Sequence, residues 1–156
     1  GELVKLLKEI DPSYLIGPQT AGLEFMSKEQ ALALMRENEG EGLCHTVWSF
    51  VTPFIGGICN CSMPGCKAMA ASLTHKTPIM FRSEYVAQVS DDRCTGCREC
   101  AKLCPFDAFM PHKKKAKARV DLKKCYGCGV CRNACAREAI SLADRESVPV
   151  AASLWL

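Results

Sequence analysis

The spacing of apolar and polar residues changes period several times along the chain. "SKEQALALMRENEG" (residues 27–40) reads as one helix, with Ser27 at the N-cap, Gln30 at the capping-box position and Gly40 near the end. "ELVKLLKEI" puts Leu3, Leu6, Leu7 and Ile10 on one helical face before Asp11 and Pro12 stop it. Further on, "EYVAQVS" and "KARVDL" alternate with period two, the pattern of half-buried strands. "FDAFM" and "REAISL" read as a short helical turn that returns as a strand. The two longest apolar runs, Trp48–Ile58 and Val148–Leu156, are interrupted by Pro53 and Pro149. Both fall short of the ~18 residues a membrane-spanning helix needs.

Composition then narrows the class. With 156 residues, 48% hydrophobic and 24% charged, the chain suits one ordinary domain or two small ones sharing a core. Glu2, Lys5, Lys8 and Glu9 interrupt any secretory apolar stretch, so a cytoplasmic protein is expected. Twelve cysteines would suit either a disulfide scaffold or metal sites. Their arrangement in a strict repeat favours metal.

That repeat is the strongest feature of the sequence. "CTGCRECAKLCPFDAF" carries Cys94, Cys97, Cys100 and Cys104, and "CYGCGVCRNACAREAI" carries Cys125, Cys128, Cys131 and Cys135, each 31 residues after its counterpart. The register continues into the flanks, where Val89 matches Val120, Gly96 matches Gly127, Asp107 matches Glu138 and Ala108 matches Ala139. Both units read C-x2-C-x2-C-x3-C, the spacing that supplies thiolates to a [4Fe–4S] cluster. Three cysteines spaced by two residues let a tight loop wrap one cluster, while the fourth begins a short helix and reaches the other. The small residues Thr95, Gly96 and Gly127 leave room for backbone N–H groups to point at sulfur. Two zinc ribbons would instead show CxxC pairs separated by a longer knuckle.

These motifs resemble the bacterial two-cluster ferredoxin family over about residues 84–142. The resemblance implies that Cys94, Cys97, Cys100 and Cys135 hold one cluster, and Cys125, Cys128, Cys131 and Cys104 the other. Pro105 matches the family's Cys-Pro, and Ala136 departs from it. The implied fold is a pseudo-two-fold α+β unit, with residues 1–83 as a helical and loop extension and 143–156 as an apolar tail.

Four cysteines remain: Cys44, Cys59, Cys61 and Cys66. A third [4Fe–4S] cluster, a structural zinc site and a set of buried thiols all compete for them. Four is one full ligand set, and Gly56-Gly57 and Pro64-Gly65 are turn formers that would let the chain fold around a metal. The C-x-C pair would aim at one cluster if the chain bends at Asn60. The segment "GLCHTVWSFVTPFIGGICNC" resembles one that precedes the ferredoxin unit in longer iron–sulfur electron carriers, which favours the third cluster. His45 is an alternative fourth ligand, against the simpler reading of a histidine bonded to backbone.

Charge adds a partner. Residues 1–43 hold four basic and eight acidic side chains, whereas residues 91–138 hold twelve and six, concentrated in "HKKKAKARVDLKK". A solvated loop, a nucleic-acid patch and a docking surface for an acidic partner compete for that run. No aromatic residue interleaves it, which argues against nucleic acid. Diffusing ferredoxins of the family it resembles are often acidic, so the basic loop implies a dedicated partner. Twelve thiolates and three clusters would shift the formal +3 by about −6, to near −3. The apolar "WSFVTPFIGG" and "SVPVAASLWL" point to a subunit in a complex. The expected function is one-electron transfer to or from a catalytic subunit, with no catalytic side chain in this chain. The three-cluster layout resembles electron-transfer subunits of anaerobic oxidoreductases, such as the one accompanying the tungsten chain of benzoyl-CoA reductase. The alternatives are a diffusing ferredoxin with a structural zinc site, or an iron–sulfur protein with an open catalytic iron.

Overall fold

The computed structural model describes residues 24–51, 54–112 and 116–155. The expected helix over residues 2–10 and the lysines 113–115 lie outside them.

The first element is helix α1, Lys28–Gly40. Its start is local chemistry: the Ser27 hydroxyl accepts from the Gln30 N–H at 3.2 Å, and the Gln30 side-chain oxygen accepts from the Ser27 N–H at 2.8 Å. Its end is set by Gly42 at φ 83°, which lets the Leu43 N–H turn back to the Asn38 carbonyl at 3.0 Å. No residue of α1 is buried. An Arg132–Glu39 ion pair at 3.5 Å ties it to the second cysteine unit.

Strands β1 (Cys44–Val51) and β2 (Phe54–Cys61) form an antiparallel hairpin from the first long apolar run. Gly56 and Gly57, expected in a turn, lie inside β2. Trp48 pairs with Gly57 and Ser49 with Ile55, so Gly56 is the extra residue of a β-bulge. Val47 and Ile58 are cross-strand partners and both are exposed. Met63, Pro64 and Gly65 do form a turn, and Cys66 caps helix α2, Lys67–Leu73.

The remaining elements repeat. Strand β3 (Tyr85–Val89) pairs antiparallel with β6 (Ile140–Asp144), and β4 (Phe109–Pro111) pairs antiparallel with β5 (Ala118–Val120). Val89 faces Ile140 in one sheet and Val120 faces Phe109 in the other, positions 31 residues apart in each case. Helices α3 (Glu99–Leu103) and α4 (Val130–Asn133) lie between. A helical turn was expected to begin at each fourth cysteine, and the structure corrects this. Each helix holds the third cysteine and has ended by the fourth, because Arg98 and Gly129 at positive φ start it and Cys104 is already extended. Asp107 and Glu138, at φ 50° and 48°, then turn the chain into β4 and β6. The turn after Cys135 forms without the proline found after Cys104.

The core consists of Val86, Ala87, Ala108, Phe109, Ile140 and Ala151 together with Cys100, Cys125 and Cys131. The C-terminal segment folds back on it, with Ala151 fully buried and the Arg82 N–H donating to the Trp155 carbonyl at 2.8 Å. No helix among the described residues is long and apolar enough to cross a membrane.

Candidate metal centre

Each cysteine loop is shaped by a close backbone approach. A Cβ at Gly96 would lie 2.2 Å from the Ala116 carbonyl oxygen, and one at Gly127 would lie 2.0 Å from that of Tyr85. Both glycines have positive φ, so only glycine fits. The loops are therefore pressed against the strand side of the opposite half.

Two hollows result. One is lined by Cys104, Cys125, Cys128 and Cys131, together with Ala87, Ala108 and Phe109. The other is lined by Cys94, Cys97, Cys100 and Cys135, together with Val89, Ala139 and Ile140. Three cysteines of each hollow come from one loop, and the fourth crosses over from the other repeat.

Backbone N–H groups are aimed at the sulfurs in matched pairs. Ala108 donates to Cys104 Sγ at 3.4 Å and Ala139 to Cys135 Sγ at 3.3 Å. Ala87 donates to Cys125 Sγ at 3.5 Å and Ala118 to Cys94 Sγ at 3.4 Å, each from the opposite repeat. A cation also grips the first cysteine of each loop by its carbonyl, Lys117 at Cys94 and Arg145 at Cys125. Arg145 has no exposed surface and also donates to the carbonyls of Ser83, Tyr85 and Leu154. The Ser83 hydroxyl braces the second loop by donating to the Gly127 carbonyl at 3.0 Å. Burial pushes the Cys131 thiol up to about 12 and the Cys100 thiol up to about 11, so loading a metal displaces protons here.

Residues 93–140 match the family model of the 4Fe-4S dicluster domain. The match supports a 4Fe-4S ferredoxin-like domain in this segment, a domain type that suggests an iron–sulfur electron-transfer role. No curated protein matches the chain. The matched residues include all eight repeated cysteines and none of the other four.

The residues of the 4Fe-4S domain fit the group their family implies. Among the described residues, no three or more Cys, His, Asp or Glu side chains converge on a single ion position. The thiols instead surround hollows, and soft thiolates braced by backbone N–H donors suit an iron–sulfur cluster.

The four remaining cysteines gather at the hairpin. Cys44 pairs with Cys61 and Thr46 with Cys59. Cross-strand partners share a face and alternate residues repeat it, so Cys44, Cys59 and Cys61 occupy one face of the sheet. No bend at Asn60 is needed, contrary to expectation. Cys66 closes the group from the cap of α2, while Cys59 stays exposed. His45 lies on the opposite face, where its Nδ1 sits 2.7 Å from Oδ1 of its partner Asn60, a geometry in which the ring N–H donates. It is bonded to a side chain and not to backbone.

The polar contacts at this group have no signature in the sequence. Trp48 Nε1–H donates to the Thr46 hydroxyl at 3.0 Å, and that hydroxyl lies 3.5 Å from Cys61 Sγ, within hydrogen-bond reach. Cys44 packs in the same apolar cluster as Cys128, a cysteine of the first hollow, and its thiol donates to the His45 carbonyl at 3.8 Å. Interaction between the two sulfurs holds the Cys128 thiol down at about 7 and, with burial, raises Cys44 well above the ordinary thiol range.

Proposed function

We propose that this chain is a cytoplasmic electron-transfer subunit that relays single electrons to or from a catalytic oxidoreductase subunit. In this reading Cys94, Cys97, Cys100 and Cys135 hold one [4Fe–4S] cluster, and Cys104, Cys125, Cys128 and Cys131 hold a second. Cys44, Cys59, Cys61 and Cys66 hold a third. The observation that carries it is the pair of hollows, each ringed by four thiols drawn from both repeats. The 31-residue correspondence of strand registers, positive-φ positions and N–H···S bonds supports a pseudo-two-fold unit over residues 84–142, with residues 1–83 as its extension.

Clusters bound at these cysteines supply the one-electron chemistry. The chain's own residues set its conditions. The N–H donors of Ala87, Ala108, Ala118 and Ala139 stabilise negative charge on sulfur, and the apolar lining keeps water from the hollows. The packing of Cys44 and Cys61 in one cluster with Cys104 and Cys128 supports a third site beside the second, the adjacency a relay needs. The anaerobic oxidoreductase context, with the benzoyl-CoA reductase assembly as the candidate, rests on likeness of layout.

Iron and zinc per chain, counted after anaerobic purification, test this. About twelve iron atoms support three clusters, about eight with one zinc make the hairpin site structural, and about eight alone remove the third site. Cys44→Ser should lower the count from about twelve if Cys44 is a ligand. An unchanged count with an unchanged paramagnetic signal at that site would instead show that Cys44 does not coordinate and favour an open iron.

A further inference from the structure

A groove opens between the end of α2, the segment 76–82 and the backbone around Phe106 and Lys123–Tyr126. Four cations line it, Lys76, Arg82, Lys123 and Lys124, against one carboxylate, Asp107. Asp107 pairs with Lys124 at 2.8 Å, and Arg82 lies 4.9 Å over the Tyr126 ring. Lys76 and Lys123 are exposed and carry no ion pair among the described residues.

The floor of this groove is the wall of the first hollow. Phe106 and Tyr126 stack at 4.2 Å and 12°, and both residues line the groove as well as the hollow ringed by Cys104, Cys125, Cys128 and Cys131. One aromatic layer therefore separates the positively charged mouth from that cysteine set. Ile79 and Phe81, from the segment that edges the groove, are 43% and 70% exposed.

We infer that this groove docks an acidic protein redox carrier. The inference rests on the electron-transfer function proposed above and locates the port through which electrons cross. The charge sits at an open mouth where a carrier's carboxylates would meet it, and exposed apolar side chains beside it suit a protein surface better than a free anion. On docking, one electron leaves the reduced centre of one protein and enters the oxidised centre of the other. No bond forms and no proton is required.

The test uses the anaerobically purified, metal-loaded chain and an acidic flavodoxin as the probe carrier. Reduction by flavodoxin hydroquinone should slow by about tenfold or more in the Lys76→Glu/Lys123→Glu variant at low ionic strength, and its salt dependence should flatten. Lys28→Glu/Lys102→Glu, the same charge change placed on α1 and α3, should leave the rate near that of the parent chain. Zero-length carbodiimide coupling should join flavodoxin carboxylates to Lys76, Lys123 or Lys124, a readout that needs no electron transfer. Unchanged rate and salt dependence in the double variant, or coupling confined to lysines elsewhere, would overturn the port. Fewer than about eight iron atoms per chain would instead overturn the proposed function, and the coupling pattern would still report on docking.

Discussion

At the scale of single residues, the two cysteine loops separate glycines that are required from one that is merely convenient. Gly127 has φ 78° and its missing Cβ would meet the Tyr85 carbonyl at 2.0 Å, so Gly127→Ala forces a strand and a loop apart. Gly129 has φ 86°, but a Cβ there would meet only Leu142 at 3.5 Å, and its counterpart Arg98 already carries a side chain at φ 69°. Gly129→Ala should cost only ~1–2 kcal/mol in denaturant unfolding of the loaded protein. Gly127→Ala should cost more than that and lower the iron retained per chain. Arg145 offers a second contrast. It is a buried cation with no carboxylate partner among the described residues, and it grips four carbonyls, one of them that of Cys125. Arg145→Met leaves those carbonyls unsatisfied and should cost ~2–5 kcal/mol. It also removes a positive charge that favours the reduced, more negative form of the adjacent centre. The midpoint potential of one paramagnetic signal should fall, by about 59 mV if the reduction constant changes tenfold. Arg145→Lys keeps the charge, so it should hold the potential near that of the parent chain while still losing stability. A potential unmoved by Arg145→Met would confine the residue to a structural role.

At the scale of elements, what could be read beforehand was whatever has local causes. Helix α1 was legible because its capping box lies within four residues, and with none of its residues buried those caps carry much of its stability. Ser27→Ala should therefore cost ~1 kcal/mol, seen as faster amide exchange over residues 28–31 with iron content unchanged. Strands β3 and β5 were legible from their period of two, and the cysteine loops from a spacing that repeats. The β1–β2 hairpin was not, because strand pairing depends on a partner that local pattern does not specify. Without it, Gly56-Gly57 looked like a turn and Cys59-x-Cys61 looked as though it needed a bend. Within a strand, the same pair falls on one face by pleat alone. Arg145 was invisible for a related reason. In "ADRESVP" it reads as a surface charge, and the carbonyls it serves come from residues 83, 85, 125 and 154.

At the scale of the molecule, much of the core is made of the residues that would carry the metal. Cys100, Cys125 and Cys131 are buried members of the main apolar cluster, with Cys104 and Cys135 packed against it. A second cluster joins Cys44 and Cys61 to Met69, Phe106 and Val130, with Cys104 and Cys128 at its edge, so the hairpin and the 4Fe-4S domain share packing around cysteine. With these cysteines packed into both apolar clusters, the metal they would carry is part of what the core packs around. Metal occupancy and folding should therefore be one equilibrium. Stripping the loaded protein with an iron chelator under anaerobic reducing conditions should abolish near-ultraviolet circular dichroism and amide protection at Val86 and Ala87 in β3. Protection in the β1–β2 hairpin should fall in the same step, because its buried side packs on residues of the first hollow. Loss at β3 with the hairpin retained would mean that the two clusters fold independently. A metal-free chain that kept the unfolding midpoint of the loaded one would show that the apolar residues hold the fold by themselves.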